Sequence, residues 1–558
     1  MRPVRHAIAL LIIGVCLSTT VQASVSEAIR NRVEHMLYTE ALEIDGVDVL
    51  GVQVLSELYT EREFEPLWRD HDHIRQLSEL SELAYLNGLN PADYPLEAVE
   101  RLLDAPQPLG DIEAADLDIL ATETLVRIGY QLRFGKVNPN GLYSDWNFRR
   151  EFQSNEGRNQ TITRFAEADS LVDEMDDWVS DAQLYVQMRE ALARYRQIQA
   201  SGGWPQVPEG PTLRAGDSDS RIQLLRQRLQ AEGDLAGGDT ASSEFDQGLE
   251  EAVIRFQNRH GLGADGVVGA RSYQALNVGI ADRIDQLRAS LERGRWVMEE
   301  AQAAGDRFVL VNIASAQVAL MEGRRPTFVT RVQVGKPYRQ TPVFHGMIQY
   351  LVVNPTWTVP PTILRKDVLP KLKADADAYL SSKHMDLLDR DGTKVDHTKI
   401  DWSEISARNF PYIVRQRPGS WNVLGQVKFI FPNSHFVFLH DTPSRELFER
   451  AERAFSSGCI RVENPFELAE LVMNEPAWDQ AAFQSVLDTE KQRTVHLKKP
   501  LPVFLMYWTG MADADGTVRF YEDIYSRDAV LLKAMAQPPS IDLQQADVGG
   551  GWIRPSEN

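Results

Sequence analysis

The chain has 558 residues, 25% of them charged and 43% hydrophobic, with a formal charge of −21. These are ordinary globular proportions, ample for large cores in about three or four domains. So acidic a chain argues against nucleic acid or anionic lipid as the main partner and leaves a neutral or zwitterionic substrate open.

Residues 1–23 read as a secretory signal peptide. Arg2 and Arg5 open it, Ala7 to Leu17 forms an apolar core, and Val21-Gln22-Ala23 supplies a small-residue cleavage site. The apolar core is short for a membrane span, so export to the periplasm is expected, with an uncleaved inner-membrane anchor as the alternative. Cleavage removes Arg2, Arg5 and no acid, which moves the charge from −21 to −23. It also discards Cys16 and leaves Cys459 as the only thiol.

Residues 24–205 carry helical periodicity punctuated by Asn87-Gly88-Leu89-Asn90-Pro91, Gly135-Lys136-Val137-Asn138-Pro139 and Gly202-Gly203-Trp204-Pro205. A helical scaffold domain is predicted, with Trp68, Tyr85, Tyr130 and Trp146 in its core. Asp70-His71-Asp72-His73 reads as a solvated charge run, and neither a metal nor a cofactor is expected.

Residues 212–277 differ. Ala252-Val253-Ile254-Arg255-Phe256-Gln257 leads through Gly261-Leu262 to Asp265-Gly266-Val267-Val268-Gly269. Gly261 can end a helix in the left-handed conformation, and Gly266 and Gly269 shape the next turn. This string resembles the small three-helix peptidoglycan-binding domain, which implies contact with cell-wall glycan.

From Phe308 the pattern turns to strands, at Phe308 to Ile313, Phe328 to Val334, Tyr350 to Val353 and Leu501 to Trp508. An insertion over about 362–420, with a helix from Leu369 to Tyr379, leaves this sheet just before its last motifs and is placed to act as a lid. A Gly-rich tail over 537–558 is expected to be mobile.

The most informative stretch runs from Ser434 to Glu463. The apolar run Phe436 to Leu439 predicts a buried strand ending at His440, and a helical excursion is expected to return the chain to Ser456-Ser457-Gly458-Cys459. A lone thiol needs a base or a positive environment to ionise, and His440, nineteen residues upstream, is the candidate. Gly458 permits a sharp turn, so that amide N–H groups there converge on a developing oxyanion.

His440 with Ser456-Ser457-Gly458-Cys459-Ile460-Arg461-Val462 resembles the signature of the YkuD-type L,D-transpeptidase catalytic domain. Asn354 to Pro361, Gln416-Arg417-Pro418-Gly419, Leu424 to Phe429 and Phe431-Pro432-Asn433 resemble its large periplasmic branch, typified by YcbB. Two positions depart from the common pattern: Ser457 replaces a second histidine, and Asp441 stands where Gly or Ser is usual. The resemblance implies a multidomain α+β protein, with a helical scaffold, a peptidoglycan-binding domain and a mainly-β catalytic domain over 306–530.

It also implies roles. Cys459 is the nucleophile, His440 the general base and acid, Asp441 its backbone orienter, and Gly458 an oxyanion donor. Arg461, Ser457, Trp357, Tyr338 and Trp421 are substrate-binding candidates, with core packing the competing role for the three aromatics and a Glu463 ion pair for Arg461. The implied reaction cleaves the diaminopimelate–D-Ala bond of a stem peptide and forms a 3→3 cross-link. Carbapenem β-lactams are the implied covalent inhibitors, and other cell-wall enzymes are candidate partners. An L,D-carboxypeptidase, a zinc peptidase and a non-catalytic wall-binding protein are the alternatives.

Overall fold

A computed structural model describes residues 25–143, 146–148, 155–176, 178–323 and 325–540. The expected signal at 1–23 and residues 541–558 of the expected tail lie outside them.

The N-terminal region is helical and organised around α1 (Asp111–Phe134). α1 starts where the Glu113 carboxylate accepts the Gly110 N–H at 2.8 Å and stops at Gly135, whose φ is +82°. Its apolar residues lie all round the cylinder, so it is enclosed on every side. The acids it carries inside are matched. Asp118 accepts the N–H groups of Leu67 and Trp68 at 3.0 and 2.9 Å and the Tyr59 hydroxyl at 2.6 Å, and burial pushes its pKa up to about 6. Trp68 and Tyr130 are buried as expected. Tyr85 is not, because it lies at the surface under the Arg196 guanidinium, 3.5 Å from its ring centre. Trp146 is buried, but with Val137 and Phe148 in the core of the C-terminal domain.

The three helices α3 (Arg221–Ala231), α4 (Gln247–Arg259) and α5 (Ala270–Leu276) enclose a small core of their own. A buried charge cluster fastens this unit to scaffold helix α2 (Gln183–Ala200). Glu232 pairs with Arg228 and, at 2.6 Å, with Arg259, and accepts the Tyr195 hydroxyl of α2 at 2.7 Å. Burial works against the Glu232 charge, yet Arg259 and Arg228 hold its carboxyl well below the usual range.

After α6 (Ile280–Arg295) the chain builds a nine-stranded sheet. Its strands are β1 (Arg307–Asn312), β2 (Gln317–Glu322), β3 (Arg325–Gly335), β4 (Phe344–Val353), β5 (Val427–Ile430), β6 (Leu439–His440), β7 (Ala454–Ser456), β8 (Ile460–Val462) and β9 (Arg493–Met506). The order is β7-β3-β8-β6-β5-β4-β9-β1-β2, and β2 also pairs with β3, which closes the sheet into a barrel with β7 as a side branch. Alternate residues such as Val332, Val462, Ile460, Leu439 and Phe429 are fully buried in its core. α8 (Pro465–Met473) packs on β5 and β9.

Two local expectations fail. Only Leu439 and His440 of the Phe436–His440 run are strand, and Phe436 is 78% exposed with φ +55°. The excursion to Cys459 is not an α-helix but a short 3₁₀ turn, Arg445–Glu449, followed by β7. Pairing of Ala454 with Val334 draws that segment onto the barrel edge and overrides its helical propensity.

The insertion between β4 and β5 has its own sheet (Trp357–Thr358, Ile413–Gln416, Met385–Leu388), the helix α7 (Leu369–Ser382) and a separate core around Leu372, Leu387 and Val414. The hairpin Gly510–Ala512 with Val518–Phe520 crosses the other way. Its Ala512, Val518 and Phe520 complete the scaffold core.

Glu232→Gln leaves Arg228 buried without a carboxylate. It is expected to cost about 3–5 kcal/mol in denaturant unfolding of the α3–α5 unit and to free that unit for limited proteolysis. Unchanged unfolding and protection would show that the cluster does not hold the two units together.

Candidate active site

Barrel register assembles the site from residues far apart in the chain. Gln333 on β3 lies opposite Arg461 on β8, Arg461 opposite His440 on β6, and His440 opposite Lys428 on β5. Partners across a sheet share a face, so these four form one lateral row on the side away from the barrel core. Cys459 sits two residues before Arg461 and shares its face. Cys459 immediately precedes β8, and the parallel pairing of β8 with β6 brings its turn alongside the strand that ends at His440.

His440 is buried, and its Nδ1 is hydrogen-bonded to the Asp441 carbonyl. Burial and the neighbouring Arg461 and Lys428 charges pull its pKa down to about 3, against the carbonyls of Asp441 and Leu424. The Cys459 thiol is half-buried and donates to the Phe436 carbonyl at 3.7 Å. Burial pushes the thiol up, while the Phe438 N–H, Lys428 and Arg461 draw it down. Near neutral pH the site therefore rests as a neutral imidazole beside a neutral thiol, with two cations ready to meet a thiolate.

The turn bearing Cys459 is pinned from below. Thr341 Oγ1 donates to the Gly458 carbonyl at 2.9 Å and accepts the Gly335 N–H at 2.9 Å. The Tyr525 hydroxyl accepts the Thr341 N–H at 3.2 Å and donates to the Gly335 carbonyl at 2.5 Å. Gly458 has φ +114°, and its N–H donates to Ser456 Oγ at 3.0 Å. That amide is thus already engaged by a hydroxyl of its own turn.

Asp441 turns its carboxylate away from His440, to the Gln426 N–H at 2.9 Å and to Arg445 at 3.1 Å. Gly425 makes room for it, since a Cβ there would lie 2.3 Å from the Asp441 side chain.

The expected binding residues divide. Arg461 is half-buried and donates to Gln333 Oε1 at 3.2 Å, whereas Glu463 pairs with Arg331. Ser457 accepts from Arg339 at 2.8 Å, and Arg339 also approaches Asp367 of the insertion at 3.7 Å. Trp357 packs against the insertion's own core. Trp421 is 43% exposed and stacks on His384, with ring centres 4.2 Å apart, while Tyr338 stands 74% exposed. Sequence reading missed Lys428, Gln333, Thr341 and Tyr525. Only the alternation of Val427-Lys428-Phe429 hinted that Lys428 faces away from the core. Among the described residues, no three or more His, Cys, Asp or Glu side chains cluster as metal ligands.

Three family models match separate segments. These are the YkuD L,D-transpeptidase catalytic domain over 306–496, a scaffold domain over 53–192, and a "Putative peptidoglycan binding domain" over 218–276. A Haemophilus influenzae protein named "Putative L,D-transpeptidase" is 38% identical over 220 residues, which are 39% of this chain and 44% of that protein. The chain thus spans less than half the length of that relative. The Mycobacterium tuberculosis "N-acetylmuramoyl-L-alanine amidase CwlM" is 38% identical over 80 residues, 13% of this chain and 20% of that protein. The crystal structure of an L,D-transpeptidase from Stackebrandtia nassauensis is 12% identical and covers 56% of this chain and 99% of its own, with a TM-score of 0.21, too low to bear on the assignment.

A depressed folded-state pKa means that the native protein binds fewer protons than the unfolded chain. His440 therefore costs stability as pH falls from about 6.5 toward 3. Its ring resonances are expected to stay those of a neutral imidazole between pH 8 and pH 5. An NMR midpoint near the ordinary value of about 6.5 would show that burial and the flanking cations do not govern it.

Proposed function

Because the chain carries a YkuD L,D-transpeptidase catalytic domain beside a scaffold and a peptidoglycan-binding domain, we propose that it is a cysteine acyltransferase acting on peptidoglycan stem peptides. The observation that carries this reading is the parallel pairing of β8, which directly follows Cys459, with the strand that ends at His440, Arg461 and Lys428 lying on either side of the histidine.

Cys459 Sγ attacks the carbonyl that joins diaminopimelate to the terminal D-Ala. His440, neutral and held through Nδ1 by the Asp441 carbonyl, takes the thiol proton as the S–C bond forms. The tetrahedral oxyanion is met by the Cys459 N–H and, once Ser456 Oγ turns aside, by the Gly458 N–H. Such a donor is typically worth about 10²–10³ in rate. His440 returns the proton to the departing amine, the C–N bond breaks, and a thioester remains. The side-chain amine of a second diaminopimelate resolves it into a 3→3 cross-link, while water in its place makes the reaction a carboxypeptidase. Ser457 and Arg461 border the nucleophile as substrate contacts, and Trp421 and Tyr338 offer exposed rings near the approach.

A protein acting on peptidoglycan works outside the cytoplasmic membrane, in keeping with the signal expected at 1–23. No helix among the described residues is long and apolar enough to cross a membrane. The α3–α5 unit is assigned to wall glycan, and carbapenems are assigned as acylating inhibitors of the same sulfur.

Intact-protein mass spectrometry with a disaccharide-tetrapeptide or meropenem is expected to show an adduct on Cys459 and, with the peptide, released D-Ala. Cys459→Ala should form none, His440→Gln should acylate about 10²–10⁴ more slowly, and EDTA should change nothing. Full turnover by Cys459→Ala, or its loss in EDTA, would replace this reading with a metallopeptidase or another nucleophile. Dimeric stems among the products identify an amine acceptor, and tripeptide alone identifies water.

A further inference from the structure

The row that presents His440 also holds two half-buried cations with no carboxylate partner among the described residues. Several other guanidiniums are matched by carboxylates: Arg331 lies against Glu463 and Glu449, Arg293 against Asp528, and Arg259 against Asp234. Arg461 has only the Gln333 side-chain oxygen, and its Nε is buried without a partner. Lys428 has only the Phe438 ring, 3.8 Å from its Nζ. Neither is paired with a carboxylate among the described residues. Burial disfavours both charges, and the one opposing attraction on each is to Cys459 as a thiolate. Holding two such charges partly out of water without an anion is unfavourable in a fold with no use for them.

We infer that Arg461 and Lys428, which flank His440 on either side, hold a free carboxylate of the donor peptide and thereby select which stems acylate Cys459. The inference rests on the acyl-transfer reading and adds the recognition element to it. Neighbouring strands are about 4.8 Å apart, so the two backbones stand about 10 Å from each other with His440 between them, and two long side chains can close on one anion. Arg461 lies two residues, about 6.6 Å, beyond the nucleophile on the same face. A carboxylate one residue past a scissile carbonyl held at Sγ falls within its reach. Two carboxylates qualify, the C-terminal one on the leaving D-amino acid and the one on the side chain of the third residue. Either one, once bound, also offsets the positive field at His440 and makes the imidazole a better acceptor for the Cys459 proton.

The test compares three donors: the disaccharide-tetrapeptide, its C-terminal amide, and the form amidated at the third-residue side chain. The acylation rate at Cys459 is followed by intact-protein mass spectrometry in the wild type, Lys428→Met and Lys428→Arg, each checked for an unchanged melting temperature. In the wild type one of the amides is expected to react about 10- to 100-fold more slowly than the free acid, which identifies the carboxylate held. In Lys428→Met that discrimination should shrink to within about two- to fivefold, and Lys428→Arg should restore it. Should Lys428→Met not fold, the wild-type comparison and the Lys428→Arg ratio still decide. Equal wild-type rates with all three donors overturn the inference while leaving acyl transfer intact, and so does full discrimination by Lys428→Met. Failure of every donor to acylate the wild type overturns the acyl-transfer reading itself.

Discussion

The register of four short strands is the constraint on which the site depends. In β3, β8, β6 and β5 every second residue faces the barrel core, and the residues between face away from it. A slip of one position in any of them would carry Arg461, His440 or Lys428 into hydrocarbon and push Ile460, Leu439 or Phe429 out. What prevents the slip is burial, since those apolar side chains are fully enclosed and each contributes roughly 1.5–3 kcal/mol. The chemistry is thus positioned by residues that never meet a substrate. β6 has only two residues, so its alignment is set by β5 on one side and β8 on the other.

Around that row the electrostatics are arranged by exclusion. The chain as a whole is strongly acidic, yet among the described residues no carboxylate is directed at His440 or the thiol. Asp441, the nearest acid in sequence, is turned to the Gln426 amide and Arg445, over a glycine that leaves space for it. Glu463, two residues past Arg461, is occupied by Arg331. The resulting field is positive and local. It offsets part of the burial that keeps the Cys459 thiol neutral, and it adds to the burial that keeps the His440 imidazole neutral.

Much of this was legible in the sequence, for identifiable reasons. Cys459 and His440 stand in a local motif, and the strands at Phe308, Phe328 and Leu501 announce themselves by β-branched alternation. The helical scaffold and the α3–α5 unit follow from periodicity and from glycines at Gly261 and Gly266, both with positive φ. What was hidden depends on pairing across long separations. Lys428 and Gln333 join the site only through registers that no single stretch encodes, and Thr341 and Tyr525 pin the turn before Cys459 from segments 184 residues apart. The helix expected after Pro443 failed because an edge pairing outweighed local propensity. Tyr85, read as core, is half-covered by a guanidinium that arrives from another helix.

The hairpin at 510–520 ties the two ends of the molecule together, for it completes the scaffold core with residues from the far end of the chain, and Gln187 reaches the Ala514 carbonyl across 327 positions. That topology sets an order of events. The amino-terminal lobe cannot finish its interior until nearly the whole polypeptide has been synthesised, so vectorial, lobe-by-lobe maturation is closed to it. A chain so interlaced stays incomplete until its last segments are free to fold back onto its first.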